Sequence, residues 1–332
     1  MNLTAPRPDL LCVEDLIVSY TIGAERLLGR PSVIRAVDGV CVRVSAGEVL
    51  ALVGESGCGK TSLARGIAGL MRPDAGRVRL DGVDITGFAP GTPPHARAAI
   101  QMVFQDPFES LNPRKTVLAT LSQPLRLNRI ALRDELRGEV ARLLTQVGLP
   151  VEAMERYPHE FSGGQRQRIG IARAIATRPQ VLIADEAVSA LDISIRAQLL
   201  ALLQRLKRDL ALAILFITHD LGVVRSFADR VAVMYLGRIV EEGPTAAVFD
   251  SPRHPYTRAL LDATPIPDPV AARAATRVLL GGDVPSPRAV PPGCRFHPRC
   301  PVALARCAVE EPAWRALAPD RSAACHLAEA VA

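Results

Sequence analysis

The sequence predicts an α/β fold built around a mostly parallel sheet and followed by a less regular region. Three continuous apolar runs, at 48–53, 181–184 and 214–218, are typical of buried parallel strands. Helical patterns lie between these runs, and such alternation favours parallel pairing. After residue 255 the pattern ends, and eleven of the 27 prolines lie between residues 265 and 319. We expect a domain boundary near residue 255, with little regular structure beyond it.

Composition excludes a disordered chain. The 332 residues are 48% hydrophobic and 22% charged, and the net charge of +6 is mild for this length. Such a charge alone fits a membrane-surface protein, a weak nucleic-acid binder or a basic enzyme. The first residues do not resemble a secretory signal, and no apolar run approaches the length of about 20 residues that spans a bilayer. We therefore expect a cytosolic chain.

Two shorter patterns predict local structure. Asp81-Gly82 lies between short apolar runs at 78–80 and 83–85, which predicts a tight hairpin. Residues 107–177 are mostly helical in pattern, with apolar positions on one face near 143–147 and Gly148 as a C-cap.

Residues 54–61 match the phosphate-binding pattern G-x-x-x-x-G-K-[ST] directly after the first predicted strand. Glycines let the backbone turn N–H groups around phosphates, and the helix that follows adds its positive dipole end. Lys60 should reach the β- and γ-phosphates, and the Thr61 hydroxyl should bind Mg²⁺. We expect the nucleotide to be held by Gly54, Ser56, Gly57, Cys58, Gly59, Lys60, Thr61 and Ser62.

The second apolar strand ends in two carboxylates, Asp185 and Glu186. Asp185 would hold Mg²⁺ through water, and Glu186 would polarise the attacking water. Taken alone, such a pair also fits two surface acids that end a strand.

A second anion site precedes a predicted helix. Ser162 is an N-cap candidate, and Gly163, Gly164 and Gln165 open the helix. One chain thus carries two phosphate-binding features, which serve one ATP only when two chains meet head to tail.

These motifs resemble those of ATP-binding cassette (ABC) ATPases over residues 11–255. The segment FSGGQRQR at 161–168 is similar to the LSGGQ signature of that family, and the motif order also matches. The resemblance implies a RecA-like core, an antiparallel β subdomain and a helical signature subdomain at about 107–177. It also implies that ATP is hydrolysed between two cassettes that close on each other.

The resemblance implies roles for four further residues. Gln105 would bind Mg²⁺ and sense the membrane partner, and His219 would contact the γ-phosphate. Tyr20 would stack on adenine, although a core tyrosine is the alternative, and Asp192 would lie in a loop at the dimer interface. Catalysis would thus depend on Glu186, His219 and Gln105. The residues that would bind Mg²⁺ are Thr61, Gln105 and Asp185. Ala187 departs from the family, which usually has proline there.

Segments 104–114, 251–261 and 291–301 resemble the dipeptide/oligopeptide/nickel import branch. This implies the ATP-hydrolysing subunit of a peptide importer, with nickel or another small solute as alternative cargo. The implied partners are a second ABC ATPase, which is a paralogue or a second copy of this chain, two transmembrane permease subunits and an extracytoplasmic solute-binding protein. The implied location is the cytoplasmic face of the membrane. A soluble ABC ATPase acting on DNA or ribosomes is disfavoured, because no second cassette or concentrated basic face is present. A non-hydrolysing regulatory subunit is disfavoured because Glu186 and His219 are intact.

Four of the seven cysteines lie in the last 39 residues, with the spacing C-x5-C-x6-C-x17-C. That spacing alone fits neither paired zinc motifs nor ferredoxin motifs. The resemblance implies a C-terminal domain over 256–332 with a [4Fe-4S] cluster on Cys294, Cys300, Cys307 and Cys325. Zinc, free thiols or disulfides remain alternatives, and His297 and His326 are alternative ligands.

Overall fold

The computed structural model describes residues 9–22, 32–90, 92–106, 110–189, 191–264 and 285–329. The chain divides into two compact units. The first contains residues up to 11 together with 43–49 and 79–217, and the second contains 12–42, 50–78 and 218–332. In the parts of the chain that the structure describes, no helix is both long and apolar enough to cross a bilayer.

The strands have the following bounds: β1 (Asp9–Ile22), β2 (Ser32–Ser45), β3 (Val49–Val53), β4 (Ala75–Leu80), β5 (Val83–Asp84), β6 (Ile100–Val103), β7 (Val181–Asp185), β8 (Ala213–Ile217), β9 (Arg230–Tyr235), β10 (Arg238–Pro244), β11 (Arg315–Ala318) and β12 (Arg321–Ala323). In the first unit β8, β7 and β6 pair in parallel in that order. In the second unit the order is β11-β12-β10-β9-β3, with β3 parallel to β9. An antiparallel sheet has the order β2-β1-β4-β5.

The three predicted buried strands are confirmed. Every residue of β3, β7 and β8 is buried, as expected of strands covered on both faces. The predicted hairpin is also present: β4 and β5 pair antiparallel across Asp81 and Gly82, whose φ angles are +48° and +75°. Two successive positive φ angles are the geometry that an Asp-Gly turn favours.

The helices are α1 (Lys60–Ile67), α2 (Pro94–Ala99), α3 (Val117–Leu127), α4 (Leu136–Gln146), α5 (Gly163–Ile175), α6 (Ile193–Leu210), α7 (Leu221–Phe227), α8 (Thr245–Asp250) and α9 (Pro255–Asp262). Within the region predicted to be helical, α3, α4 and α5 pack together, joined by short 3-10 turns at 151–155 and 158–160. Leu143 and Leu144 are fully buried, and Gly148 has φ +71°, which is the left-handed conformation expected just after a helix. Residues 107–109 of this region lie outside the described residues.

The expectation of little regular structure in the proline-rich region is only partly met. Residues 285–314 have no regular structure beyond 3-10 turns at 297–299 and 305–308. The strands β11 and β12 nevertheless form a hairpin, and β12 pairs antiparallel with β10 through Glu241↔Ala323 and Glu242↔Ser322. The hairpin was missed because its short strands have no hydrophobic alternation of useful length.

Candidate functional site

The phosphate-binding loop at residues 54–61, the P-loop, runs from the end of β3 into the start of α1, as the sequence predicts. Gly59 has φ +111°, and a Cβ atom placed there would lie 2.0 Å from the Ala36 carbonyl oxygen. At Gly54, with φ +153°, a Cβ atom would lie 2.2 Å from the Met234 carbonyl oxygen. Both positions therefore require glycine, for conformation and for space.

Lys60 lies at the centre of this loop. Its side chain is nearly buried, and Nζ donates hydrogen bonds to the carbonyl oxygens of Gly54 at 2.8 Å and Glu55 at 3.0 Å. Both of these acceptors are neutral oxygens, so no carboxylate competes with an anion for the Lys60 ammonium. The loop thus combines a fixed cation with the N-terminus of α1, which is the arrangement that binds phosphate.

Tyr20 lies beside the start of α1. Its hydroxyl is 3.0 Å from Ser62 Oγ, and the side chain is 38% exposed. At this exposure Tyr20 is not a core residue. His219 is exposed directly after β8, while the next residue, Asp220, caps α7 by accepting from the Val223 N–H at 3.2 Å.

In the first unit, the end of β7 brings two predicted catalytic residues together. Gln105 Nε2 donates to Glu186 Oε2 at 3.0 Å, although the residues are 81 positions apart. Asp185 is 5% exposed at the last position of β7. Glu186 has φ +48°, an unfavourable conformation for this residue that is typical of functional sites. Ala187 is buried in the position where the family has proline.

The signature segment forms the predicted helix start. The Gln165 N–H donates to Ser162 Oγ at 3.3 Å, and the Ser162 N–H donates to Gln165 Oε1 at 3.0 Å, which completes a capping box. A Cβ atom on Gly164 would lie 2.5 Å from Ile195 Cγ2, so α6 packs directly against this glycine. Gly163 is less crowded, and Asp192 precedes α6 at its N-cap.

The predicted site residues are divided between the two units. The P-loop, Tyr20 and His219 belong to the second unit, whereas Gln105, Asp185, Glu186 and the signature segment belong to the first. Sequence reasoning missed two contributors to the P-loop, Tyr256 and Arg299, which bond to Glu55. The motif gives no signal for them, because they lie more than 200 positions away.

The four C-terminal cysteines lie in the second unit, and no disulfide joins any of the seven cysteines, all of which lie within the described ranges. The Cys294 N–H donates to the Cys307 carbonyl at 2.8 Å. Burial, reinforced by the other three thiols of the group, raises the pKa of Cys294 to about 11. Within the described ranges, however, no group of three or more His, Cys, Asp or Glu side chains is arranged to hold a metal ion. These thiols are therefore neighbours but not a formed ligand set.

The two histidines considered as ligands make other contacts. His297 Nδ1 lies 2.9 Å from the Cys294 carbonyl oxygen, and His326 Nε2 lies 3.0 Å from the Glu310 carbonyl oxygen. Both rings thus contact backbone carbonyl groups of the C-terminal extension (residues 256–332).

Comparison with protein families identifies two segments of the chain. The model of the ABC transporter family matches residues 37–189. The model of the oligopeptide/dipeptide transporter C-terminal region matches residues 240–307. The second match includes three of the four clustered cysteines.

Similar curated proteins cover nearly the whole chain. The oligopeptide transport ATP-binding protein OppF of Escherichia coli is 48% identical over 93% of this chain and 94% of its own length. A probable peptide ABC transporter ATP-binding protein of Sinorhizobium fredii is 50% identical over 96% of this chain and 90% of its own. The di/tripeptide transport ATP-binding protein DppF of Pseudomonas aeruginosa is 45% identical over 96% of this chain and 98% of its own length.

Solved structures share the fold. CbiO1 of Clostridium perfringens, described as part of an ABC transporter complex, matches with a TM-score of 0.62 and 30% identity over 73% of this chain and 91% of that one. A dimeric ATP-binding cassette in a post-hydrolysis state, bound to ADP and phosphate, matches with a TM-score of 0.62 and 28% identity. The match covers 71% of this chain and 98% of that one. The chain therefore belongs to the family of ABC transporter ATP-binding proteins, in the branch that carries the oligopeptide/dipeptide transporter C-terminal region.

Proposed function

We infer that this chain is the ATP-hydrolysing subunit of an ABC importer, and that ATP binding and hydrolysis drive the uptake of di- or oligopeptides. The hydrogen bond between Gln105 and the strained Glu186 at the end of β7 carries the assignment of hydrolysis. A carboxylate in this place can accept a proton from water, and the amide fixes its orientation. The similarity to peptide transport proteins over more than 90% of the chain supports the cargo class.

In this proposal the residues divide the work of hydrolysis. Lys60 and the N–H groups of residues 54–61 bind the β- and γ-phosphates, and Tyr20 stacks on the adenine. Thr61, Gln105 and Asp185 would hold Mg²⁺, which would neutralise the charge that develops on the phosphate oxygens. Glu186 takes the proton of the attacking water, and His219 contacts the γ-phosphate.

The signature segment acts on the ATP held by another cassette. Ser162, Gly163, Gly164 and Gln165 present a capped helix N-terminus, which attracts the γ-phosphate of the partner's nucleotide. Asp192 lies in the interface loop of this head-to-tail pair. Closure around two ATP molecules is then the step that moves the permease, and hydrolysis reopens the pair.

We further propose the remaining partners by family membership. A paralogous ATPase, two permease subunits and a solute-binding protein complete the importer, and this chain works at the cytoplasmic face of the membrane. The cassette occupies residues 11–255, and the C-terminal domain occupies 256–332. Nucleic acid has no role in this assembly.

We also propose that the four clustered cysteines bind a [4Fe-4S] cluster that stabilises the extension. Two observations support it: the other three thiols contribute to the raised pKa of Cys294, and the Leu327 N–H donates to Cys325 Sγ at 3.4 Å. Such N–H···S bonds are a recognised feature of iron–sulfur sites. The thiols must close together to ligate, so the proposal requires a local rearrangement of the segment.

Anaerobic purification of the full chain tests the cluster. We expect visible absorption and about four iron atoms per chain. The Cys300→Ser variant should lose both signals, whereas the Cys41→Ser variant, altered at an exposed thiol on β2, should keep them. Colourless protein with one zinc ion, or with no metal, would contradict the proposal.

Reconstitution tests the transport function. The chain is assembled with its permease subunits, partner ATPase and binding protein in proteoliposomes, and ATPase activity is measured with a panel of di- and oligopeptides and with nickel. We expect peptides to stimulate hydrolysis and to accumulate inside in an ATP-dependent manner. Stimulation by nickel alone would replace the peptide assignment with the metal alternative.

A further inference from the structure

The C-terminal extension binds a side chain of the P-loop. Arg299 Nη1 lies 2.7 Å from Glu55 Oε2, and Nη2 lies 2.9 Å from Oε1. The side chain of Arg299 is 7% exposed and that of Glu55 is 24% exposed, so the pair is largely shielded from solvent. Two parallel charge-assisted bonds fix the orientation of the carboxylate as well as neutralising it.

The backbone of Glu55 is held by the same part of the chain. Its N–H donates to Tyr256 Oη at 2.8 Å. The Tyr256 ring is fully buried between Tyr235 and Phe296, at centroid distances of 4.6 and 5.4 Å. Phe296 precedes Arg299 by one 3-10 turn. The segment that supplies the arginine therefore also supports the tyrosine, and both main chain and side chain of Glu55 are anchored.

Glu55 also contacts the phosphate-binding lysine. Its carbonyl oxygen accepts a hydrogen bond from Lys60 Nζ at 3.0 Å. A continuous set of polar contacts thus runs from Arg299 through Glu55 to Lys60. The Glu55 carboxylate is itself an anion in a loop that binds a polyanion, so without a counter-charge it would repel the phosphates.

We propose that Arg299 is a positioning residue of the ATP site, which anchors the P-loop and cancels the negative charge of Glu55. The C-terminal extension thereby helps to set the affinity for nucleotide, a role separate from any contact with permease or cargo. The inference rests on the proposed ATPase function. Loss of Arg299 should weaken ATP binding about tenfold, the size expected for one charge-assisted contact.

A double-mutant cycle on the purified full chain tests this. The variants are Arg299→Gln, Glu55→Gln and the two combined, with Kd measured by titration with a fluorescent ATP analogue and kcat and KM by steady-state kinetics. We expect Arg299→Gln to raise Kd and KM about tenfold while kcat changes less than about threefold. Glu55→Gln in the same chain should restore Kd to within about threefold of wild type, because no unpaired carboxylate remains.

A matched control separates this effect from a general weakening of the extension. Arg295 is another largely buried arginine of the same segment, but its carboxylate partner is Asp38, outside the P-loop. Asp38 also pairs with Arg238, so Arg295→Gln should fold and keep the ATP affinity of wild type. Arg299→Lys keeps the charge, and it should retain Kd within about threefold of wild type if Arg299→Gln proves too unstable to purify.

Two results would overturn the inference: an Arg299→Gln Kd within about twofold of wild type, or a double variant as weak as Arg299→Gln. The second result would mean that Arg299 only supports local folding. Failure of the wild-type chain to hydrolyse ATP, both alone and with its partner ATPase, would instead overturn the proposed function, so the two outcomes are distinguishable.

Discussion

Replacing Glu241 with glutamine is expected to loosen the C-terminal extension from β10. Glu241 is fully buried, and its two oxygens accept the Arg253 N–H at 2.9 Å, the His254 N–H at 2.8 Å and Arg321 Nη2 at 3.0 Å. These groups come from the start of α9 and from β12. One carboxylate therefore joins the last cassette strand to two elements that follow it.

The structure sets the size of the effect. The Arg321 side chain is 10% exposed, so glutamine would leave a buried guanidinium without a counter-charge. The NH₂ group of glutamine would also replace one accepting oxygen of Glu241, so that two hydrogen-bond donors would face each other there. Breaking a buried ion pair from one side costs about 3–5 kcal/mol, and because one oxygen is retained we expect about 3 kcal/mol.

Urea unfolding followed by tryptophan fluorescence measures this loss directly. Trp314 is the single tryptophan of the chain and precedes β11, so its signal reports on the extension. The control is Asp250→Asn, because Asp250 pairs with Arg225 and both side chains are more than 60% exposed. That variant should change stability by less than about 0.5 kcal/mol. A loss below about 1 kcal/mol for Glu241→Gln would refute the reasoning.

Two further predictions concern the P-loop and the start of α9. Gly59→Ala should abolish ATP binding in the fluorescent ATP titration, because its Cβ would lie 2.0 Å from the Ala36 carbonyl oxygen. The control Gly138→Ala, in an open helical position, should bind ATP normally. Normal ATP binding by Gly59→Ala would contradict this prediction. Burial lowers the pKa of His254 to about 3, so the folded state keeps this ring neutral. The contribution of the neutral His254 ring to the free energy of unfolding is therefore complete above the unfolded-state pKa of about 6.5. It is lost as the pH falls towards 3, by about 1.4 kcal/mol per pH unit. His254→Asn can still cap α9 by accepting from the Tyr256 N–H. The free energy of unfolding of this variant, measured in urea, should therefore change less with pH than that of the wild type between about pH 6.5 and 4. An unchanged slope of the free energy against pH would contradict the assignment.

The local parts of the site could be predicted because their chemistry is contiguous in sequence. The glycines of the P-loop, the capping box at Ser162 and Gln165, and the Asp81-Gly82 turn each depend on neighbouring residues. The pairing of Gln105 with Glu186 agrees with the family resemblance, which had assigned both to catalysis. Local pattern was therefore sufficient for the parallel strands and for most of the candidate ATP site.

Long-range charge pairs could not be predicted in the same way. Most of the 40 basic residues are arginines, and nothing in the sequence selects Arg299 for Glu55 or Arg321 for Glu241. Such pairs are fixed only when the backbone of the extension is placed. The same holds for β12, whose three residues become a strand because β10 offers a free edge.

The central claim is that this chain hydrolyses ATP with Glu186 as the base that activates water. Its most direct test is Mg²⁺-dependent phosphate release by the purified chain and by its Glu186→Gln variant, with ATP binding measured in parallel. We expect turnover to fall at least about 100-fold in the variant while ATP binding is retained, since the base acts in the chemical step. Equal turnover by the two proteins would contradict the account.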